Sequence, residues 1–251
     1  MDADPSSPLR LAELPWRRVS RHLRRDPRLL VPVGVTLQHG PHLPLGTDTI
    51  IVTELAEAVS RRHGILVAPT LPYGAGSPQD QAYAGTACLR GKTLHRILNE
   101  LVASWEEHGV EEFVLLTAHG YGPHLQALAT VVSDLARVRA VDVHAMDLSR
   151  FLDHSPRREH AGELATSLLL HLAPELVDTA ALDDLVLTEP ELARLVAGEE
   201  PAPRPGSPGV VGRASAASAE KGRRIFEHFV GFLGQHIFEV KEEHASPRQR
   251  A

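Results

Sequence analysis

Cysteine occurs once in the 251 residues, at Cys88. That excludes an intrachain disulfide framework and any cysteine-rich zinc module. Lysine is almost as scarce: apart from Lys92, Lys221 and Lys241 the positive charge is arginine, and the formal net charge is −6. A mildly acidic balance gives no broad electrostatic footprint for nucleic acid, so no nucleic-acid partner is expected. Nowhere do about 18 apolar residues run without a charge, so no membrane span is expected either. The N-terminal segment 1–28 is rich in arginine but lacks the apolar core of about 7–15 residues that a secretory signal needs. Its arginines read as the solvated face of a helix, and a cytoplasmic protein is expected.

What is present is alternation. A chain of this length commonly forms one α/β domain, and it is large enough to bury a core without a metal or disulfide. Residues 29–35 (LLVPVGV), 65–69 (ILVAP), 113–117 (FVLLT) and 141–146 are short apolar runs that suit buried strands. Between and after them, residues 49–63, 93–108, 124–138 and 160–172 carry apolar residues at helical spacing, with Asp48 standing where an N-cap belongs. The stretch 199–212 is rich in proline and glycine and reads as a loop, and 219–240 reads as a long closing helix. Strands alternating with helices of a dozen residues predict a single-domain α/β fold over 1–251. Its sheet is mostly parallel, with helices on both faces.

Histidine is the informative excess, with fifteen residues where average usage predicts roughly six. In open parallel sheets, ligands bind beyond the carboxyl ends of the strands. The first predicted strand runs into TLQHGPHLPLGTD and the third into AHGYGPH, so His39, His42, Asp48, His119 and His124 fall on one edge of the sheet. A later segment, REHAGE, adds His160 and Glu163, which at i and i+3 would share a helix face. Imidazoles and carboxylates converging from separate loops make an N/O site suited to zinc, manganese or iron. A metal there would activate water, and a histidine outside the ligand set would move protons.

These segments resemble the creatininase (creatinine amidohydrolase) family. The resemblance is carried by PVGVTLQHGPHLPLGTD, YAGT, LLTAHG, EHAGELATSLLLHLAPELVD and ASAASAEKGRRIFEHFV, in that order, and covers roughly residues 11–240. It implies a single α/β domain that hydrolyses amide-like C–N bonds at a divalent metal centre and assembles as a homo-oligomer, a hexamer by the family pattern. It also implies that His39, Asp48 and His119 are metal ligands, with Glu163 as a further carboxylate. His160 matches the family's proton-moving histidine, and Glu159 is a second acid–base candidate. Tyr121, Ser77 and Asp80 are the substrate-binding candidates.

The sequence departs from the family pattern at several ligand positions. Leu37 stands where family members commonly have a glutamate, Tyr121 where creatininase has a glutamate ligand, and Ala165 where the residues after HAGE usually begin with glutamate. Leucine offers no lone pair and removes a negative charge, so one metal per subunit is expected rather than two, with zinc first and manganese or iron as alternatives. The leading reading is therefore a metal-dependent hydrolase of an amide or cyclic amidine C–N bond in a small molecule. The same site could run in reverse to close a ring. Two other readings are a peptidase that trims a precursor of a peptide-derived cofactor, and a non-catalytic binding or scaffold protein.

Overall fold

The computed structural model describes residues 7–153, 159–188, 190, 191 and 209–235. Five strands form one sheet: β1 (Leu9–Arg10), β2 (Arg28–Val33), β3 (Leu66–Val67), β4 (Glu112–Thr117) and β5 (Arg137–Asp142). Their order is β1-β3-β2-β4-β5 and every neighbouring pair is parallel. The two central strands are apolar on both sides, which suits a sheet covered on both faces. Leu29, Val31 and Val33 of β2 join Phe113 and Leu115 of β4 in one core. Leu30, Val114 and Leu116 belong to the other.

Helices cover each face. Helices α1 (Trp16–Leu23), α3 (Gly91–Glu106) and α4 (Gly122–Ala129) lie on the first side, contributing Leu23, Leu94, Leu98, Val102 and Leu128. Helices α2 (Thr47–His63), α5 (Glu163–Leu172) and α6 (Ala219–Leu233) lie on the second, with Ile51, Leu55, Leu168, Ile225 and Phe229. A small antiparallel ribbon joins β6 (Asp184–Leu185) to β7 (Gly212–Arg213). Among the described residues no helix is long and apolar enough to cross a membrane.

The fold class read from the sequence is the one observed, but three elements differ. The helix expected over 124–138 ends at Ala129. Val132 and Leu135, which completed its apparent stripe, are 73% and 87% exposed, and Ser133 Oγ accepts the Ala136 N–H in a turn. The next strand therefore starts at Arg137 rather than 141, where pairing with Glu112 of β4 sets its register. The helix expected from residue 160 begins only at Glu163. Ala161 has φ 53, in the left-handed region, and His160 is held in a bridge to Val211. His160 and Glu163 thus do not share a helix face. Of the N-terminal segment, residues 1–6 lie outside the described residues, and 9–23 supply β1, a turn and α1. The closing helix is described to Leu233, and residues 236–240 fall outside the described residues, as do 199–208 of the proline-rich stretch.

Candidate active site

Strands β2 and β4 are neighbours, so the loops that leave their carboxyl ends lie side by side. The β2 loop carries His39, the β4 loop carries His119, and α2 opens with Asp48 in its first turn. The N-cap of α2 is Gly46, two residues before Asp48, so the Asp48 carboxylate is not the cap. Gly34 lets α2 start hard against the end of β2: a Cβ there would stand 2.3 Å from Thr49 Oγ1.

The three side chains meet. His39 Nε2 lies 3.2 Å from Asp48 Oδ1, and His119 Nδ1 lies 2.9 Å from Asp48 Oδ2. All three residues are buried. The outer ring nitrogens settle the hydrogen bonding. His39 Nδ1 donates to the Leu37 carbonyl at 2.9 Å and His119 Nε2 donates to the Ala75 carbonyl at 3.1 Å. A carbonyl only accepts, so both outer nitrogens carry their hydrogens. Both inner nitrogens then face a carboxylate, and Asp48 Oδ2 has no partner in hydrogen-bond geometry although it is buried. The centre of this cluster calls for positive charge, from protons or a cation. Burial works against an imidazolium at His39, but Asp48 and the Leu37 carbonyl outweigh it and raise its pKa. Burial likewise penalises the Asp48 carboxylate, yet the two histidines hold its pKa well below the ordinary value.

Two imidazoles anchored through backbone carbonyls, with inner nitrogens turned to a carboxylate, are of the donor types that N/O metal sites use, and such sites hold their histidines by outer hydrogen bonds of this kind. Among the described residues no group of three or more His, Cys, Asp or Glu stands already spread around a common point as ligands; this one is closed to hydrogen-bond distance.

His160 stands beside the cluster. Its ring centroid is 4.7 Å from that of His39. Its Nε2 lies 2.8 Å from the Gln38 carbonyl oxygen and 3.0 Å from Gln38 Nε2, and its backbone exchanges two hydrogen bonds of 2.8 Å with Val211. Burial and the neighbouring His39 push its pKa down to about 3. Gln38 is a residue the sequence reading passed over: its Oε1 accepts the Gly40 N–H, and its amide reaches Asp80 Oδ1 at 3.3 Å as well as His160. Asp80 is buried, which raises its pKa against the bond from Gln38.

The other candidates are placed elsewhere. Glu163 turns away from the cluster to Lys221 Nζ, 2.6 Å distant. Glu159 Oε1 accepts the Leu164 N–H at 2.6 Å and so caps α5, whose N-cap residue, Gly162, has no side chain to do it. Ser77 donates its hydroxyl to Gln79 Oε1. Tyr121 is half-buried, with its ring centroid 6.2 Å from that of His119. His124 is fully buried: its Nδ1 accepts the Ala75 N–H and its ring meets His119 edge-on at 5.0 Å. His42 is also buried, bonded to Thr166 Oγ1 at 2.9 Å.

Residues 12–237 match the family model described as Creatininase: Creatinine amidohydrolase. The chain belongs to the creatininase family. It is 35% identical over 223 residues to a Mycobacterium ulcerans (strain Agy99) protein named mycofactocin precursor peptide peptidase, covering 81% of this chain and 82% of the relative. It is 30% identical over 242 residues to a creatinine amidohydrolase of Pseudomonas putida, covering 86% and 91%. A solved creatininase variant of Zn-Zn type superposes with TM-score 0.76 at 25% identity, over 92% of this chain and 98% of that one. The protein is thus a creatininase-family amidohydrolase by sequence and fold. Leu37, which precedes the β2 loop histidine, is buried, and its carbonyl accepts the His39 Nδ1 hydrogen.

Proposed function

We propose that this chain hydrolyses an amide C–N bond, using one divalent metal held by His39, Asp48 and His119. The observation that carries the reading is the cluster itself: two anchored imidazoles turn their inner nitrogens on one buried carboxylate, and His160 stacks alongside. When bound, the metal would supply a Lewis acid for the carbonyl and an activated water. The protein's own groups do the rest. Asp48 keeps the negative charge that draws the cation in. The Leu37 and Ala75 carbonyls fix both histidine rings. Gln38 holds the His160 ring through Nε2, and His160 would move a proton between water and the leaving amine. Leu37 and Tyr121 bring no carboxylate to a second cation, which favours a mononuclear site despite the Zn-Zn relative.

The mycobacterial relative favours a second reading on the substrate side. An identity of 35% to a precursor-peptide peptidase, against 30% to a creatinine amidohydrolase, supports a peptide amide as substrate beside the cyclic amides expected from the sequence.

Elemental analysis of protein purified without added metal or chelator tests the centre. About one equivalent per subunit is expected, and His39→Ala should lose it. Two equivalents would mean that another residue replaces the glutamate absent at Leu37. No metal after soaking with zinc, manganese or iron, with no turnover of lactams, formamides or short peptides, would favour the non-catalytic reading. His160→Ala should lower turnover by about 10²–10⁴-fold with metal content unchanged; unaltered turnover removes His160 from the chemistry.

A further inference from the structure

Two sequence motifs take no part in that chemistry: the glutamate of EHAGE and the lysine that opens the closing helix. They meet each other. Lys221 Nζ donates to Glu163 Oε1 at 2.6 Å, to Asp153 Oδ2 at 2.8 Å and to the Ala216 carbonyl at 2.7 Å. An ammonium has three donors, and all three are used. The Glu163 carboxylate also accepts the Asp153 N–H, 3.2 Å from both of its oxygens. Asp153 and Glu163 flank His160 in the chain, and one cation bonds to both of them.

Lys221 is itself held in place. Ser218 Oγ accepts the Lys221 N–H, and the Ser218 N–H donates to Ser167 Oγ of α5. At the next residue α5 and α6 are in backbone contact: a Cβ on Gly222 would stand 1.8 Å from the Ser167 carbonyl oxygen. Beyond the clamp lies the one non-glycine residue with positive φ among the described residues, Ala161, and then His160 in its two-bond bridge to Val211. A strained residue persists where its surroundings over-determine it. Here the surroundings are the Val211 bridge on one side and the clamped start of α5 on the other.

We propose that Lys221 is a positioning residue, which by clamping Asp153 to Glu163 sets where His160 stands against His39. Only the catalytic consequence of this rests on the function proposed above; the placement of His160 does not.

Amide hydrogen exchange on the full chain tests it without a substrate. In Lys221→Met the His160 and Val211 amides should exchange about tenfold faster or more, relative to β4 amides of the same sample, the scale of losing a charge-assisted hydrogen bond. Lys221→Arg, which keeps the charge but not the compact ammonium, should restore part of that protection. Asp153→Ala removes only the exposed arm of the clamp and should give a smaller rise in a folded protein. A role confined to helix packing would speed α5 and α6 amides and leave His160 and Val211 at the parent rate, and that result overturns the proposal. Should Lys221→Met fail to fold, Asp153→Ala decides alone: parent-rate exchange at His160 and Val211 overturns it. A failed amidase assay alters neither result, so the two readings fail separately.

Discussion

At the scale of single residues, Glu159 shows how far local environment decides role. Burial pushes its carboxyl up to about 7, against the backbone N–H groups at the start of α5 that favour ionisation. In the unfolded chain it ionises near the ordinary glutamate value of 4.5. Between those values the folded protein binds the extra proton, so this group's contribution to stability falls as pH rises through the window. Glu159→Gln, which still accepts from Leu164, should flatten that part of the stability profile, read as urea midpoints from pH 4.5 to 7.5. An unchanged slope would place the titration elsewhere. From its sequence neighbourhood Glu159 looked like an acid–base partner of His160, since adjacency in the chain says nothing about where two side chains point. His39, Asp48 and His119 were legible because each follows a strand end or opens a helix, and the parallel sheet delivers such positions to one edge. Lys221 carried a signal that went unused. It is one of three lysines in a chain that otherwise uses arginine, and a compact ammonium suits three converging oxygens better than a planar guanidinium does.

Among the elements, the close crossing of α5 and α6 matters most for the site. Gly222→Ala would drive a methyl group into the Ser167 carbonyl, a backbone atom that cannot swing aside. The helices would have to part, at a cost of about 1–3 kcal/mol or more in the denaturant midpoint. A midpoint within error of the parent would mean that the crossing yields. Helices α2 and α3 were readable because their apolar stripes are buried. The stretch after Ala129 misled for the same reason in reverse: its residues keep a helical period, yet Val132 and Leu135 face outward. Periodicity reports a stripe, and only packing shows whether anything covers it.

For the molecule as a whole, a metal bound only by the folded state should stabilise it by mass action. Chelator should therefore lower the Tm of the parent, readdition of metal should restore it, and His39→Ala should show no such response. A chelator-insensitive parent would argue that protons, not a cation, neutralise the cluster around Asp48. A chelator response shared by parent and variant would place the metal away from His39.

The sequence alone determined the α/β class, the parallel sheet, its two layers of helices and the edge on which the histidines gather. Those follow from periodicity, chain order and the handedness of crossover connections, which are properties of the chain itself. Tertiary structure decided the partners. It sent Glu163 to Lys221 and Glu159 to the start of α5, and it closed His39 and His119 on Asp48. The pairings of Glu163 with Lys221 and of His119 with Asp48 join residues far apart in the chain, where distance and the competition for buried hydrogen bonds exist only after the helices have packed.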